Sequence, residues 1–193
     1  VCNWIMGDHP TKCWGMGARQ QLEGKSGEIW DNFAMEYEYA NGARMYSYCG
    51  QINRKWSSVS EGVAGSKGSA DPSGRIQPKE GDQWRYKKSD KDISPYVQEH
   101  VDLINAIQKD TELNEAKQVT DSTLTAIMGR EAAYSGAGVE WNQILNSKFT
   151  YGPDLLYKDC ARMEWGAFRT LQPPMPNMHD IFSDPPVVPV VKG

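Results

Sequence analysis

Five residues of the sequence could together bind a small polar molecule, and they are Arg19, Gln20, Gln51, Arg54 and Trp56. Guanidinium and carboxamide groups offer several hydrogen-bond donors, and an indole offers an apolar face with one N–H donor. At the ends of strands, this combination suits a polyhydroxylated ligand. The alternative is that the same residues form a solvated rim around a sheet and bind nothing.

The residues that could perform acid–base catalysis are few. Glu99, His100 and Asp102 are close in sequence, which would suit proton transfer. On a helix, however, Glu99 and His100 point about 100° apart, and His100 falls on the apolar face. We therefore predict that His100 packs in the core. His9 follows a helix end and His179 lies in a proline-rich tail, so we predict no partner for either.

The common cofactor and metal motifs are absent from the sequence. A dinucleotide site needs G-x-G-x-x-G between a strand and a helix, but the string at 15–17 lacks the third glycine and the string at 136–138 follows a helix. The Gly24-Lys25-Ser26 string lacks the first glycine of a P-loop. We therefore predict that this chain binds neither cofactor nor metal.

The cysteines are scattered, with no C-x-x-C pair. This spacing disfavours both a zinc site and a disulfide scaffold. We predict four buried free thiols, at Cys2, Cys13, Cys49 and Cys160.

Composition limits the classes of partner. The 193 residues carry a net charge of -4 and no basic block, which argues against a nucleic acid or an anionic membrane surface. No apolar run reaches the roughly 18 residues of a membrane span. We predict a soluble chain with a small-molecule or protein partner. The compartment stays open between the cytoplasm and export from a bacterial cell.

Two consecutive helices organise the second half of the chain. The first begins at Pro95, with Ser94 as its N-cap, and an apolar stripe lies along one of its faces. The second runs from Ala116 to Tyr134 and contains small residues that allow close packing. The glycine-rich string at 135–138 ends it, because glycine adopts the left-handed conformation of a helix C-terminus.

Strands joined by tight turns precede these helices. After a short N-terminal helix that ends at Gly7, we predict strands at 12–17, 28–39, 43–51, 57–65, 74–77 and 83–87. Asn41-Gly42 is the strongest hairpin signal. Consecutive strands with tight turns pair antiparallel, and strands followed by helices give an α+β layer. The predicted fold is an open, mostly antiparallel sheet with the helix pair on one face.

The other face of the predicted sheet is rich in aromatic residues. Large rings exposed on an open face usually meet another protein surface, so we predict a homodimer or a higher homo-oligomer. The alternative is that the proline-rich tail covers this face. The domain prediction is accordingly an α+β domain over 1–150 and an extension over 151–193 that packs on it. The aromatic residues are Tyr37, Tyr39, Tyr46, Tyr48 and Trp56.

The first residues have the pattern of a helix C-terminus but not that of a helix N-terminus. The helix before Gly7 has no N-cap, no initiator methionine and too few residues to hold together alone. We expect that the sequence is the C-terminal part of a longer protein.

Several stretches together resemble the C-terminal domain of Gfo/Idh/MocA oxidoreductases, a family named after glucose-fructose oxidoreductase and inositol dehydrogenase. The likeness extends over residues 1 to 150 and is most specific in the helix pair. Its fold is similar to the C-terminal domains of dihydrodipicolinate reductase and glyceraldehyde-3-phosphate dehydrogenase. The stretches are Cys2–Pro10, Gly17–Gln20, Val59–Glu61, Pro95–Ile104, Leu113–Ala116 and Ser122–Arg130.

The resemblance implies a two-domain parent enzyme. An N-terminal Rossmann domain would bind NAD or NADP, while this domain would shape the substrate pocket and dimerise through its open sheet. Family members mostly oxidise or reduce a sugar or cyclitol hydroxyl, and some cleave glycosidic bonds through transient oxidation. The family's catalytic lysine and histidine would precede Val1. The resemblance therefore implies no catalytic residue in this chain and no activity for it alone.

Hydride transfer requires the substrate to lie between the two domains. We predict Arg19, Gln51 and Trp56 as substrate-binding residues, and Tyr96 as a fourth near the interdomain seam. The predicted partners are the Rossmann domain, a second copy of the chain and a small sugar-like substrate. Two alternatives remain, which are a stand-alone carbohydrate-binding module and a purely dimerising module.

Overall fold

The structure is a computed structural model that describes residues 1–21, 28–53, 56–90, 92–151 and 172–188. The chain divides into two compact units. The larger unit comprises residues 2–55 and 117–193, and the smaller unit comprises residues 56–116 with Val1. Each unit contains one four-stranded antiparallel sheet.

The helices and strands confirm the predicted α+β class with antiparallel sheets. In chain order they are α1 (Cys2–Met6), β1 (Pro10–Ala18), β2 (Asn32–Tyr39), β3 (Arg44–Gly50), β4 (Val63–Gly65), β5 (Gly68–Asp71), β6 (Arg75–Pro78), β7 (Trp84–Arg85), α2 (Pro95–Lys109), α3 (Ala116–Ser135), β8 (Val139–Glu140) and α4 (Trp141–Leu145).

The sheet of the larger unit has the order β3-β2-β1-β8. The hairpin predicted at Asn41-Gly42 is confirmed: Gly42 has a φ of +82°, which favours glycine, and the Tyr39 N–H donates to the Ala43 carbonyl over 2.9 Å. Along β2, Met35, Tyr37 and Tyr39 are buried and alternate with half-buried glutamates. One face of the sheet is therefore covered and the other is open.

Helix α3 covers the buried face. Its C-terminal half supplies Met128, Ala132 and Ala133 to the same core cluster as Met35 and Tyr37. Gly129 faces β2, and a β-carbon at this position would overlap the Tyr37 hydroxyl. The small residues predicted to allow close packing therefore do so against the sheet.

Helix α1 is also tied to this face. The Tyr39 hydroxyl donates to Asn3 Oδ1 over 2.8 Å, and Asn3 Nδ2 donates to Thr125 Oγ1 over 2.9 Å. Asn3 thus links β2 to α3. Gly7, with a φ of +70°, ends the short helix as predicted.

The smaller unit contains β4 to β7, paired in that order, and helix α2. The start of α2 at Pro95 is confirmed, and Asp110 ends it in the left-handed conformation. No residue of α2 is buried. Its apolar stripe, which includes Val97, Leu103 and Ile107, is thus exposed in the part of the chain that is described.

Four sequence-based expectations about strands were wrong. The strands form two sheets and not one. Strand β2 begins at Asn32 and not at residue 28, and β4 begins at Val63 and not at residue 57. Strand β5 was not predicted, because Gly68–Asp71 offers only one apolar side chain to an alternating pattern.

The prediction that His100 packs in the core was also wrong. Its side chain is 73% exposed, and Nδ1 donates to the Tyr96 carbonyl one turn earlier over 2.7 Å. Periodicity identified the apolar stripe of α2, but it could not show whether anything covers that stripe.

Burial differs among the cysteines. Cys13 is buried, Cys2 is half-buried and Cys49 is exposed. The prediction of four buried thiols was therefore wrong for Cys2 and Cys49. Cys160 lies outside the described residues. Cys49 is exposed because β3 is at the edge of its sheet, and the alternation of exposed and half-buried residues along β3 stops at this residue.

The tail described at 172–188 belongs to the larger unit. Trp30 Nε1 donates to the Pro174 carbonyl over 3.0 Å, and Ile181 joins the core cluster. The domain boundary at residue 150 stays a prediction, because residues 152–171 are not described.

Candidate functional site

The predicted site residues Arg19 and Gln51 emerge at the same end of the larger sheet. Ala18 pairs with Asn32, and Asn32 pairs with Gly50, so these three residues form one row across β1, β2 and β3. Arg19 follows Ala18 and Gln51 follows Gly50. The structure therefore places the two residues on neighbouring loops, and we call this region the strand-end surface (residues 19–21, 31–32 and 51–53).

A buried carboxylate organises the strand-end surface. Asp31 is only 3% exposed, and its Oδ2 accepts the backbone N–H groups of Gln20 and Gln21 over 2.7 and 2.6 Å. Its Oδ1 accepts Asn32 Nδ2 over 2.8 Å, and its carbonyl accepts the Gln51 N–H over 2.7 Å. Asp31 thus fixes the backbone of both loops, an arrangement that sequence reasoning missed.

Side chains cross-link the same loops. Gln21 Oε1 accepts the Asn53 N–H over 2.8 Å, and Arg19 Nη1 donates to the Ile29 carbonyl over 3.2 Å. Arg19 is half-buried, whereas Gln20 and Gln51 are exposed. The surface presents guanidinium and carboxamide groups on a hydrogen-bonded backbone. These groups can bind hydroxyl groups, but they do not transfer protons near neutral pH.

The other predicted binding residues lie in the smaller unit or outside the described residues. Trp56 and Tyr96 belong to the smaller unit, where their side chains are 86% and 79% exposed. Arg54 lies outside the described residues. Within the larger unit the structure brings Arg19 and Gln51 together, and a role in substrate binding stays a prediction for all four residues.

A second polar cluster lies in the core of the larger unit. Glu131 is fully buried, and its Oε2 accepts His179 Nε2–H over 2.8 Å. The Tyr151 hydroxyl donates to the same carboxylate over 3.0 Å, and Arg130 Nε donates to its Oε1 over 2.7 Å. We call these four residues the Glu131 cluster.

The expectation that His179 has no partner was therefore wrong. Its partner lies 48 residues away on α3, a separation that periodicity cannot bridge. A signal was present, because Glu131 stands among small apolar residues on the helix face that is buried, and a buried carboxylate requires partners. His9 also has a partner, since its ring stacks on Trp141 with centroids 3.8 Å apart.

Hydrogen bonds decide the charge of Glu131. Burial alone would raise its pKa, but the hydrogen bond from His179 and the charge of Arg130 outweigh burial and lower it. Burial likewise raises the pKa of Tyr151, with the Glu131 charge adding to the effect. The carboxylate is thus ionised and the phenol protonated, which matches their hydrogen bonds.

The buried thiol is not a nucleophile. Burial raises the pKa of Cys13 to about 12, against a smaller lowering by the hydrogen bond to Tyr37. A thiolate is the reactive form, so Cys13 stays inert near neutral pH. Among the described residues there is also no group of three or more potential metal ligands.

The open face of the larger sheet carries a mixed aromatic and ionic surface. Cross-strand pairing places Glu36 between Trp14 and Tyr46 in one row, and Ala34 between Met16 and Tyr48 in another. Arg44 contacts both Glu36 and Glu38 and lies 5.1 Å from the Trp14 ring centre. We call this the open sheet face.

The prediction that four tyrosines lie on the open face of the sheet was thus right for two of them and wrong for the other two. Tyr46 and Tyr48 are 58% and 76% exposed on the open sheet face, but Tyr37 and Tyr39 are buried against α3. Strand alternation explains the difference, because Tyr46 pairs with Glu36 and therefore shares a face with glutamates and not with Tyr37. Trp56 is in the smaller unit.

The described residues do not fit a dinucleotide cofactor. Both sheets are antiparallel, and no glycine-rich turn leads from a strand into a helix within the described ranges. Nor does any helix there combine the length and apolarity needed to cross a bilayer.

The fold is similar to that of a solved structure. That structure is the aldose-aldose oxidoreductase from Caulobacter crescentus, complexed with glycerol, with a TM-score of 0.54 and 18% sequence identity. The match covers 72% of this chain and 43% of the other chain, so this chain spans less than half of that protein. The sequence matches no family profile and no curated protein.

Proposed function

We propose that this chain is the substrate-binding and dimerising part of an NAD- or NADP-dependent oxidoreductase that acts on a sugar or cyclitol hydroxyl. The observation that carries the proposal is the fold shared with an aldose-aldose oxidoreductase over 72% of the chain. The resemblance of the sequence to the C-terminal domain of Gfo/Idh/MocA oxidoreductases is a second line of support.

The strand-end surface supplies the substrate contacts in this proposal. Arg19 and Gln51 follow strands β1 and β3, which flank β2, and Asp31 fixes the loop backbone at Gln20, Gln21 and Gln51 before any ligand arrives. A pre-organised site avoids the entropy cost of ordering loops upon binding. Guanidinium and carboxamide donors suit vicinal hydroxyl groups.

The cofactor belongs to another domain of the enzyme in this proposal, because the described residues do not fit a dinucleotide. When bound, the nicotinamide accepts or donates the hydride. The residues of this chain bind and orient the carbon that reacts. Orientation alone can supply several kcal/mol toward the reaction barrier, so a domain without catalytic groups still contributes to rate.

The activity is tested by following NADH or NADPH formation with the enzyme and a series of aldoses and cyclitols. We expect reduction of one nicotinamide cofactor that depends on the presence of a sugar or cyclitol. If sugar binds without any cofactor turnover in the intact protein, the chain is a carbohydrate-binding module. If neither sugar binding nor turnover is detected, the proposal is wrong.

The open sheet face is the proposed dimer interface. Trp14, Met16, Tyr46 and Tyr48 place apolar area on it, and aromatic residues and methionine are enriched in interfaces. The Arg44 contacts with Glu36 and Glu38 neutralise charge on the same face. This charge pairing lowers the cost of bringing two copies together.

Tyr46→Glu is expected to split the dimer. Tyr46 lies beside Glu36 on the neighbouring strand, so the substitution adds a second carboxylate to the interface and removes a ring. Sedimentation velocity should then show monomer at concentrations where the unmodified protein is dimeric.

Val59→Glu is the matched control for this change. Val59 is fully exposed in the smaller unit, and its substitution should leave the sedimentation coefficient unchanged. A dimer that survives Tyr46→Glu would show that the open sheet face is not the interface.

A further inference from the structure

A cavity of about 550 Å³ lies at the C-terminal end of α3 in the larger unit. Residues of the turn after α3, of α4 and of the 172–188 segment line it. A cavity of this size matches those that bind small molecules. It takes no part in the strand-end surface, and its polar groups include Gln143, Asn177, His179, Asp180 and Ser183.

The buried His179 ring contributes to the wall of this cavity. Its side chain is 2% exposed, and its Nε2 is committed to Glu131 and Tyr151. Nδ1 has no hydrogen-bond partner among the described residues. Every fully buried side-chain nitrogen or oxygen among these residues has a partner. Nδ1 is therefore not fully enclosed.

The Glu131 cluster holds the His179 ring in place at this wall. Glu131 Oε2 accepts from Nε2 over 2.8 Å, and the Tyr151 hydroxyl donates to the same carboxylate over 3.0 Å.

The charges around the cavity favour a cation. Asp180 Oδ1 accepts the backbone N–H groups of Phe182 and Ser183 over 2.8 and 3.2 Å, which leaves Oδ2 available. The C-terminal end of the 20-residue helix α3 carries partial negative charge. No lysine or arginine is among the residues that line the cavity in the described chain.

Further groups can bind hydroxyls. Gln143 Oε1 accepts the Glu140 N–H over 2.7 Å, which orients the amide so that its NH₂ group remains available. Asn177 adds a second carboxamide at the rim. Phe182 and Val187 supply apolar contact surface. The cavity thus combines acceptors for an ammonium group with amides for hydroxyl groups.

We propose that this cavity binds a small hydroxylated organic cation, such as an amino sugar, with its ammonium group against Asp180 Oδ2. The site is separate from the substrate surface proposed above. It does not depend on the oxidoreductase assignment, because it rests only on the lining of the cavity.

Glucosamine and glucose are the matched probes, because they differ only in an ammonium group in place of one hydroxyl. By isothermal titration calorimetry, we expect saturable binding of glucosamine at least about tenfold tighter than binding of glucose, as for a charge-assisted hydrogen bond. Equal affinities, or no glucosamine binding, would overturn the proposal.

Asp180→Asn tests the position of the cation. Asparagine keeps the Oδ1 acceptor for Phe182 and Ser183 but removes the charge, so we expect about a tenfold loss of glucosamine affinity with little effect on folding. The exposed Asp82, in the smaller unit, gives the control variant Asp82→Asn, which should bind glucosamine normally.

Two further variants locate the ligand. Val187→Trp, at the half-exposed rim of the cavity, should block glucosamine binding. Arg19→Ala should leave it unchanged. If Arg19→Ala abolishes glucosamine binding and Asp180→Asn does not, the ligand occupies the strand-end surface, which overturns the cavity site while supporting the proposed function.

Discussion

Glu131→Ala is expected to lower the free energy of unfolding by about 3 to 5 kcal/mol, the cost of breaking a buried ion pair by removing one partner. The substitution would leave His179, which is 3% exposed, without its carboxylate, and would remove the acceptor of Tyr151. It would also remove one of the contacts that join the 172–188 segment to α3. Urea unfolding followed by tryptophan fluorescence measures the loss.

Glu99→Ala is the matched control, since Glu99 lies on helix α2 with a 65% exposed side chain. Its substitution should change stability by no more than about 0.5 kcal/mol, as is usual at the surface. A loss below about 1 kcal/mol for Glu131→Ala would contradict the assignment of the Glu131 cluster as a buried, ionised network.

Acid should reduce the effect of this substitution. The pKa of Glu131 is lower in the folded state than its ordinary value of 4.5. Its contribution to stability is therefore complete above pH 4.5 and is lost as the pH falls through the lower folded-state value. The difference between the unmodified protein and Glu131→Ala should shrink in that acidic range. A constant difference would argue against an ionised carboxylate.

Gly129→Ala is expected to destabilise the larger unit by about 1 to 3 kcal/mol, the usual cost of overpacking a core. The new β-carbon would overlap the Tyr37 hydroxyl, and it would lie 3.6 Å from the Met35 side chain. Tyr37 is only 4% exposed, so its ring cannot simply turn into solvent. An exposed glycine on a helix would instead gain stability from alanine.

Tyr37→Phe gives this prediction a sharp test. It removes the oxygen that the β-carbon would meet, so the double variant should be destabilised by less than the sum of the two single variants. Gly62→Ala is the control, because a β-carbon there has no neighbour within 4 Å. Additive losses for Gly129→Ala and Tyr37→Phe would show that the helix does not approach the sheet at this point.

Local signals predicted the local structure well. Asn41-Gly42 identified the hairpin, Ser94-Pro95 the start of α2, and the glycine-rich string after residue 135 the end of α3. Each signal acts within a few residues and reflects the conformations that glycine and proline allow. Tertiary context did not override them.

Long-range structure was harder to predict from the sequence. One sheet was predicted where there are two, because alternation identifies strands but not the sheet in which each strand pairs. Tyr37 and Tyr46 appear equivalent in sequence, yet the register of β2 and β3 places them on opposite faces. Glu131 and His179 meet across 48 residues.

The candidate site was predicted in part. Arg19 and Gln51 were identified from the chemistry of their side chains, and the structure places them on neighbouring loops. Asp31 was missed because a single aspartate after a tryptophan carries no distinctive pattern. Its importance depends on two backbone N–H groups from a loop 10 and 11 residues earlier, which only the fold brings into range.

The most direct test of the proposed function is the steady-state kinetics of Arg19→Ala in the intact enzyme. If Arg19 binds substrate, KM for the sugar should rise about tenfold or more while kcat changes little, as for the loss of an interaction present in both the ground state and the transition state. Arg75→Ala, at an exposed arginine of the smaller unit, should leave both constants unchanged. An unaltered KM for Arg19→Ala would remove the strand-end surface from the substrate site.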